Sequence, residues 1–354
     1  MAIKPKILFL IPSLACGGTE RVISTLVNHW DTSKFDIRLG INSKEIPFYP
    51  IINTSVGISI FGKSRIRYTW IKLLKLIWKE QPDYIFSVLD FTRLIILLKP
   101  LLPSSCKLVA RESNYLFERL NTPQKVLSQF FYGNIDFLVV QSALMEQHIR
   151  QHLPKIASKT LVIPNPIHTA WVRRLAQMPL EHTVPDCPIF MTIARLDINK
   201  GHLRILEALT LLNTPFCYYI VGEGPEKETI KKYVQQHQLE SKVVLTGELK
   251  NPFPLLKNAH LYLQGSYTEA FPNVLLEALC LEVTPLAFAI VGGTSEIIHS
   301  GENGFLANDI HDFATSISKV LKNPFLPEKL LQNLPPFELD TVMAIYENLF
   351  TEKQ

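Results

Sequence analysis

The strongest constraint on the fold of this chain is a series of short apolar runs that alternate with longer segments of helical periodicity. An apolar run without polar alternation is typical of a strand buried on both faces of a parallel sheet, and helices supply the crossovers between such strands. The sequence therefore predicts an α/β fold with two successive βα series. The predicted strands are residues 7–11, 35–41, 84–89, 107–110, 137–140 and 161–163, and then residues 189–194, 217–221, 243–245, 261–263 and 285–289.

The length and a break in composition predict two domains. A chain of 354 residues exceeds one ordinary hydrophobic core. Residues 164–188 hold five prolines and few apolar runs, which is typical of an interdomain linker. We expect one Rossmann-like domain over residues 1–168 and another over residues 187–337, followed by a helix over residues 338–354. Ligands of such domains bind beyond the carboxyl ends of the strands, so the loops there are the places to look for chemistry.

Bulk properties narrow the class of protein. The net charge is +4, and the chain lacks zinc-finger spacing, an aromatic RNA-binding signature and a dense basic arm, so no nucleic-acid partner is expected. The five cysteines are widely spaced and predict reduced thiols. The apolar run at residues 7–12 is short for a signal peptide, and residues 94–102 are interrupted by Lys99 and Pro100. These features predict a cytoplasmic protein.

A glycine pair follows the first predicted strand, in the segment C-G-G-T-E-R at residues 16–21, and opens a helix that runs to about Trp30. Gly17 and Gly18 let backbone amides approach a ligand closely, and a helix amino end attracts phosphate or a sugar hydroxyl. The alternative is a tight turn that binds nothing. The segment is not G-x-G-x-x-G, which argues against a nicotinamide cofactor.

Two cations follow the first strand of the second series, in A-R-L-D-I-N-K-G-H at residues 194–202. Fixed positive charges at Arg195 and Lys200 would hold a diphosphate and stabilise the charge that develops as it leaves. The alternative is an ordinary surface pair. Further along, G-E-G at residues 222–224 follows another strand, where the glycines either form only a turn or let a flat base lie against the backbone.

The segment E-A-F-P-N-V-L-L-E at residues 269–277 carries two carboxylates after a predicted strand. Pro272 fits the first turn of a helix, whose amides would then face a ligand. Glu269 would lie beside those amides, and Glu277 would reach ribose hydroxyls. Paired carboxylates also occur in glycoside hydrolysis, and a helix with solvated glutamates is the simplest alternative.

Three weaker features complete the set of candidates. Residues 111–114, R-E-S-N, follow a strand of the first series and would line the cleft on its acceptor side. His148 and His152 have a metal-like spacing, but a solvated helix face is the favoured interpretation. Residues 63–79 form a basic amphipathic helix that either lies on an anionic membrane or covers the first sheet with its cations in water.

Together these segments resemble the retaining glycosyltransferases of family GT4 (glycosyltransferase group 1), which have the GT-B fold. The matching segments are G-G-T-E-R-V from residue 17, V-I-P-N-P-I from residue 162, I-A-R-L-D-I-N-K-G-H from residue 193, I-V-G-E-G-P from residue 220, E-A-F-P-N-V-L-L-E-A-L from residue 269 and the G-G-T-S-E block from residue 292. The match covers most of the chain and is densest over residues 189–308.

The resemblance implies two Rossmann-like domains that face each other across a cleft, with the C-terminal helix packed back onto the first. It implies a hexosyltransferase that moves a sugar from a nucleotide-sugar donor, UDP-linked by family frequency, to a glycan or lipid-linked glycan in cell-surface polysaccharide or lipopolysaccharide assembly. Retention would proceed by front-face attack, with the leaving phosphate taking the acceptor proton. No cofactor or metal is expected, and the sequence contains no D-x-D.

The resemblance also implies roles for single residues. Arg195 and Lys200 would bind the donor diphosphate, Glu269 would contact the donor sugar, and these three form the expected catalytic set. Glu277 would hold the ribose. The other expected donor-binding residues are Gly17, Gly18, Gly222, Gly224, Gly247, Phe271, Pro272, Asn273 and Val274, and the expected acceptor-side residues are Arg111, Glu112 and Asn114. Some family members carry a histidine near the position of Arg111, and its absence here leaves the handling of the acceptor open.

Three other functions are compatible with parts of this pattern. A nucleotide-sugar epimerase or hydrolase of the same fold would form product without an acceptor. A catalytically inactive scaffold that docks on membranes through residues 63–79 would tolerate the loss of Lys200. A nicotinamide dehydrogenase is disfavoured because the chain has no G-x-G-x-x-G.

Overall fold

Residues 4–113, 132–180 and 185–351 are described by the computed structural model, and the chain divides into two units. Unit 1 comprises Met1–Pro166 and Asp340–Gln354, and unit 2 comprises Ile167–Leu339. The boundary falls inside the linker predicted over residues 164–188. Part of that segment is a helix, Thr169–Leu175, whose Val172 is fully buried in the core of unit 2. The flanking prolines masked this short helix in the sequence.

Unit 1 is built on a seven-stranded parallel sheet in the order β3-β2-β1-β4-β5-β6-β7. Three of its strands, β1, β4 and β5, consist almost entirely of buried residues, as expected for the middle of a sheet with both faces covered. The strands are β1 Lys6–Ile11, β2 Asp36–Ile41, β3 Gly57–Ile60, β4 Tyr84–Val88, β5 Lys107–Arg111, β6 Phe137–Val140 and β7 Thr160–Val162.

The helices that connect these strands begin where apolar periodicity of about 3.6 residues appears in the sequence. They are α1 Gly18–His29, α2 Trp70–Glu80, α3 Asp90–Leu98 and α4 Ala143–His152, with 3-10 turns at Ile66–Thr69, Lys99–Leu101 and Pro154–Lys159. The basic helix predicted over residues 63–79 therefore begins later than expected, with its α-helical part starting at Trp70.

Unit 2 repeats the architecture with a six-stranded parallel sheet in the order β10-β9-β8-β11-β12-β13. Alternate side chains of its strands enter two separate hydrophobic clusters, so helices cover both faces. The strands are β8 Ile189–Ile193, β9 Cys217–Val221, β10 Val243–Gly247, β11 Leu261–Gln264, β12 Thr284–Phe288 and β13 Phe305–Ala307. The helices are α5 Thr169–Leu175, α6 His202–Thr210, α7 Lys227–Gln236, α8 Phe253–Lys257, α9 Asn273–Cys280, α10 Thr294–Ile297, α11 Ile310–Lys322 and α12 Pro327–Leu331, with 3-10 turns at Ile198–Lys200 and Pro335–Phe337.

The final helix, α13 Leu339–Thr351, packs on unit 1 through aromatic side chains. Tyr346 and Phe350 are buried, with ring centroids 6.2 and 5.6 Å from that of Trp30. Phe350 also makes an edge contact with Tyr84 at 4.9 Å. Burial of large rings makes this helix part of the core of unit 1.

The α/β class and the two parallel sheets confirm the predicted fold class. The sequence-based prediction missed β3 and β13, and both lie at the edge of their sheet. An edge strand has a solvent-facing side, so it need not carry the continuous apolar run that marks a central strand. Among the helices of the described residues, none is long and apolar enough to cross a membrane.

Candidate functional site

The loop after β8 is shaped by a capped 3-10 turn. Asp197 precedes the turn, and its Oδ1 accepts a hydrogen bond from the backbone N–H of Lys200 at 3.3 Å. Gly201 then adopts a left-handed conformation, φ +58°, and a side chain there would collide with the carbonyl oxygen of Gly265. The glycine therefore lets the β8 loop touch the loop after β11.

An ion pair joins these two loops. Lys200 Nζ lies 2.5 Å from Glu269 Oε1, and Ser266 donates a hydrogen bond to the same oxygen at 2.6 Å. The two charged side chains are 26% and 16% exposed, so the pair is half-buried yet open to a ligand. The structure thus brings together two of the three predicted catalytic residues across 69 positions of sequence.

Arg195, the third, lies in the same loop but has a different partner. Its side chain is 73% exposed and its guanidinium pairs with Asp197, with Nη2 and Oδ2 at 2.8 Å. An exposed pair of this kind contributes little to stability, so the arginine can turn toward an anion at small cost. Its predicted role in binding a diphosphate remains a prediction.

Asn199 fixes the register between the two loops, and sequence reasoning missed it. Its side-chain amide donates to the carbonyl of Thr268 and accepts from the Thr268 hydroxyl, both at 3.0 Å. Its own carbonyl accepts from the N–H of Tyr267 at 2.8 Å. These bonds hold the residues next to Lys200 and Glu269, and no sequence motif signals them because the partners are far apart in the chain.

Arg204, on α6, was also missed. Its Nε donates to the carbonyl of Gly265 at 2.5 Å, and its Nη2 donates to the carbonyl of Ser266. The guanidinium lies 4.2 Å from the ring centroid of Tyr267 and 3.9 Å from that of Phe288, and burial lowers its pKa. Arg204 therefore secures the backbone of the loop that carries Glu269.

The glycines predicted to bind donor serve close backbone packing between strand-end loops. A side chain at Gly222, φ +142°, would collide with the carbonyl of Ala194, and one at Gly224 with that of Leu196. The N–H of Gly222 also donates to the carbonyl of Gly247 at 2.9 Å. Of the two alternatives for G-E-G, the turn is what the structure shows, and a direct donor contact remains a prediction.

The G-G-T-S-E block that begins at Gly292 packs against the backbone of Glu269. Gly292, φ +143°, forms an isolated parallel bridge with Glu269, and a side chain at Gly292 would strike the Glu269 carbonyl oxygen. The N–H of Gly293 donates to the carbonyl of Ala270 at 3.1 Å. A larger residue at either glycine would displace the segment that presents Glu269.

The amino end of α9 differs by one position from the prediction. Pro272 is the N-cap, with φ −82° and ψ 99°, rather than a residue of the first turn, and Asn273 and Val274 begin the helix. Proline has no side-chain acceptor, so no side chain of the cap residue occupies the first-turn amides. Phe271 is buried against Phe337, with ring centroids 5.5 Å apart, and anchors this end of the helix.

Glu277 lies within α9 and is 2% exposed, which excludes the alternative of a solvated glutamate. Burial raises the pKa of Tyr262 well above its usual range, and the negative charges of Glu269 and Glu277 raise it further. The two glutamates therefore both lie within electrostatic range of one buried phenol. Whether Glu277 holds a ribose remains a prediction.

In unit 1 the predicted glycines lie at the start of α1. Gly17 is the N-cap and Gly18 the first helical residue. The carboxylate of Glu20 folds back over this end, close to where a side chain on Gly17 would be, and burial raises the pKa of Glu20. The amino end of α1 thus has an acidic neighbour from its own first turn.

Two of the predicted acceptor-side residues, Arg111 and Glu112, are hydrogen-bonded within unit 1. Arg111 is 2% exposed, and it donates to Ser113 Oγ at 2.9 Å and to Asn165 Oδ1. Glu112 accepts a hydrogen bond from the Tyr132 hydroxyl at 2.7 Å. Arg111 is therefore buried within unit 1, its predicted contact with an acceptor remains a prediction, and Asn114 lies outside the described residues.

The rings of His148 and His152 on α4 contact each other at a tilt, with centroids 4.2 Å apart, as expected for neighbours on one helix face. Within residues 4–113, 132–180 and 185–351, no group of three or more His, Cys, Asp or Glu side chains is placed to hold a metal ion.

One protein family, two relatives and one solved structure that are similar to this chain are described below by their extent of similarity. Residues 181–335 match the family described as glycosyl transferases group 1. An uncharacterized glycosyltransferase of Methanocaldococcus jannaschii is 25% identical over 309 residues, which are 78% of this chain and 76% of the relative. The N-acetylgalactosamine-N,N'-diacetylbacillosaminyl-diphospho-undecaprenol 4-alpha-N-acetylgalactosaminyltransferase of Campylobacter jejuni is 24% identical, with 92% of this chain and 91% of the relative covered. HepE of Anabaena in complex with UDP-glucose has a similar fold, with a TM-score of 0.83 at 17% identity over 98% of this chain and all of that chain.

Proposed function

We propose that this chain, whose residues 181–335 match the family described as glycosyl transferases group 1, transfers a hexose from a UDP-sugar to a lipid-linked glycan. We propose further that the transfer retains the anomeric configuration and needs no metal ion. Such a reaction serves the assembly of cell-surface polysaccharide or lipopolysaccharide.

The observation that carries the proposal is the half-buried Lys200–Glu269 pair beside the loop that leads into α9. A UDP-sugar presents a diphosphate next to a neutral sugar, so its site needs a cation, amide donors and a hydroxyl acceptor side by side. Lys200 supplies the cation, the first turn of α9 supplies amides, and Glu269 supplies the acceptor. Arg195, on the same loop as Lys200, would add a second cation on leaving Asp197.

Charge at the departing diphosphate is the part of the reaction that these residues act on. As the bond between the sugar and the diphosphate breaks, negative charge grows on the phosphate oxygens. A fixed lysine and oriented amides stabilise that charge without reorganisation, and this kind of stabilisation is worth about 10²–10³ in rate for a single donor. Lys200 would therefore act as a catalytic residue.

Retention by front-face attack fits the state of Glu269. This carboxylate already accepts bonds from Lys200 and Ser266, an arrangement suited to holding a sugar hydroxyl rather than to attacking an anomeric carbon. In the proposed step the acceptor hydroxyl forms the new bond to the anomeric carbon. Its proton passes to the leaving diphosphate, so no covalent enzyme intermediate is needed.

The comparisons support the proposed donor and acceptor classes. UDP-glucose is bound by HepE, a protein of similar fold. The acceptor of the Campylobacter jejuni relative is linked to diphospho-undecaprenol. We propose a polyprenyl diphosphate-linked glycan as the acceptor of this chain.

The test is a panel of UDP-sugars assayed for UDP release with and without a polyprenyl diphosphate-linked glycan, in buffer with EDTA and in buffer with Mg²⁺. We expect release with one donor only when acceptor is present, and equal rates in EDTA and Mg²⁺. NMR of the product should show the anomeric configuration of the donor. Release without acceptor would indicate a hydrolase or epimerase, and activity lost in EDTA and restored by Mg²⁺ would refute the metal-independent route.

A further inference from the structure

Helix α2 of unit 1 has one face in the core and a second apolar face on the surface. Leu73 and Ile77 are fully buried beneath the helix. Trp70, Ile71 and Trp78 are each about half exposed, at 45%, 50% and 56%. The helix thus covers the sheet, as one interpretation of the sequence predicted, and also presents large apolar side chains to solvent.

The exposed apolar side chains form one continuous feature with a neighbouring segment. Trp70, Leu74 and Trp78 are four residues apart and share a helix face. They line a shallow groove of about 670 Å³ together with Leu101, from the 3-10 turn after α3. Trp78 Nε1 donates to the carbonyl of Leu101 at 3.1 Å, which joins the two sides. We call the side chains of Trp70, Ile71, Leu74, Trp78 and Leu101 the apolar ridge.

Positive charge surrounds the ridge. Residues 63–79 contain six lysines and arginines and no acidic residue, while the whole chain has a net charge of only +4. Lys75 lines the groove itself, and Lys79 lies one helical turn further along. The one carboxylate of α2, Glu80, is 14% exposed and is paired with Lys6 and Arg38. The ridge therefore has no acidic neighbour on its own helix.

Exposed tryptophans beside lysines on one helix match the chemistry of an anionic membrane surface. Indole rings settle at the headgroup level with the apolar body down and the N–H up, and lysines attract anionic headgroups. A second copy of the chain would bring two sets of these cations together, which opposes self-association through this face. We propose that the apolar ridge and its lysines dock unit 1 on an anionic lipid bilayer, with α2 lying in the membrane plane.

Vesicle flotation tests docking without any donor or acceptor, so its outcome is independent of the proposed sugar transfer. Vesicles of phosphatidylcholine are compared with vesicles in which a third of the lipid is phosphatidylglycerol. We expect partition onto the phosphatidylglycerol vesicles alone, decreasing as salt increases. Equal partition onto both vesicle types, or onto neither, would overturn the proposal.

Paired variants assign the binding to the ridge. Trp70→Ser with Trp78→Ser should abolish partition, and Lys75→Glu with Lys79→Glu should weaken it by about tenfold or more. The matched controls are Ile46→Ser with Ile52→Ser, which removes other exposed apolar side chains of unit 1, and Lys231→Glu with Lys232→Glu on α7. Both controls should partition like the unmodified chain.

Two further measurements keep the variants interpretable. Circular dichroism and UDP binding should be unchanged in the ridge variants, because the side chains point away from the core and belong to unit 1. Sedimentation equilibrium tests the other occupant of the ridge. A dimer that the tryptophan changes dissolve, in a protein that binds no vesicles, would identify the ridge as a self-association surface and refute the proposal.

Discussion

Charged side chains at the carboxyl edges of the two sheets differ in their exposure to solvent. In unit 2, Lys200 and Glu269 form a half-buried pair that a ligand can reach, and Arg195 is exposed. In unit 1, Arg111 is 2% exposed and bonded to neutral side chains. The same architecture thus exposes Arg195 at the end of one strand and buries Arg111 at the end of another.

A position at the end of a strand is therefore not sufficient to make a charged residue part of a binding site. Arg111 and Arg195 both lie at or just past the end of a parallel strand. Arg195 lies in a loop that glycine contacts hold against the loops of neighbouring strands, as Gly201 and Gly292 do around Glu269, whereas Arg111 lies within β5 itself. Interlocked loops fix charged side chains with little reorganisation, which is the condition for electrostatic catalysis.

The largest effect on turnover is expected from Lys200→Ala. Loss of the cation at the departing diphosphate should lower turnover by about 100-fold. The matched control is Lys231→Ala, which removes a lysine paired with Glu228 at 2.8 Å on the surface of α7 and should leave turnover unchanged. Wild-type turnover in Lys200→Ala would contradict a catalytic role for this edge of unit 2. An equal loss of turnover in Lys231→Ala would contradict it as well.

A smaller loss is expected from Arg204→Met, because Arg204 acts through the loop that carries Glu269. Misplacement of that loop should lower kcat by about tenfold while the KM for donor changes less. Arg204→Lys should recover part of the activity, since it restores the charge but not the two guanidinium bonds. A variant that melts at a lower temperature but keeps full kcat would show that Arg204 is structural only.

Gly292→Ala tests whether close contact between the strand-end loops of unit 2 stabilises the fold. Its φ of +143° and the nearby Glu269 carbonyl leave no room for a side chain. We expect the free energy of unfolding to fall by about 1–3 kcal/mol. Gly301→Ala is the control, because Gly301 also has positive φ, +85°, but no atom lies within 4 Å of the added carbon. Urea denaturation should show the larger loss for Gly292→Ala, and equal losses would contradict the steric account.

Arg111→Met should have the smallest effect on turnover. Its removal deletes the charged hydrogen bonds to Asn165 and Ser113, which should lower the free energy of unfolding by about 1–3 kcal/mol. Turnover per folded molecule and the KM for the UDP-sugar should stay near wild type at a temperature where the variant is folded. A selective rise in the KM for donor would place Arg111 in the donor site and contradict the contrast drawn between Arg111 and Arg195.

Much of this architecture could be predicted from the sequence because central parallel strands are continuous apolar runs. The approach of Lys200 to Glu269 could also be predicted, since both residues follow strand ends of one sheet, while the roles of Lys200, Glu269 and Glu277 remain predictions. The edge strands β3 and β13 could not, because solvent on one side relaxes their composition. Asn199 and Arg204 could not, because their bonds to the β11 loop depend on tertiary contacts across more than 60 positions of sequence. Burial of Arg111 could likewise not be predicted from the sequence, since arginine is typically a surface residue.

The most direct test of the account compares the binding of UDP and of uridine to the wild type and to Lys200→Ala by calorimetry. The two ligands differ only in the diphosphate, so their difference isolates the group that Lys200 should bind. The account predicts that Lys200→Ala weakens UDP binding by about tenfold or more and leaves uridine binding unchanged. Equal UDP affinity in the two proteins would contradict the claim that Lys200 holds the donor diphosphate.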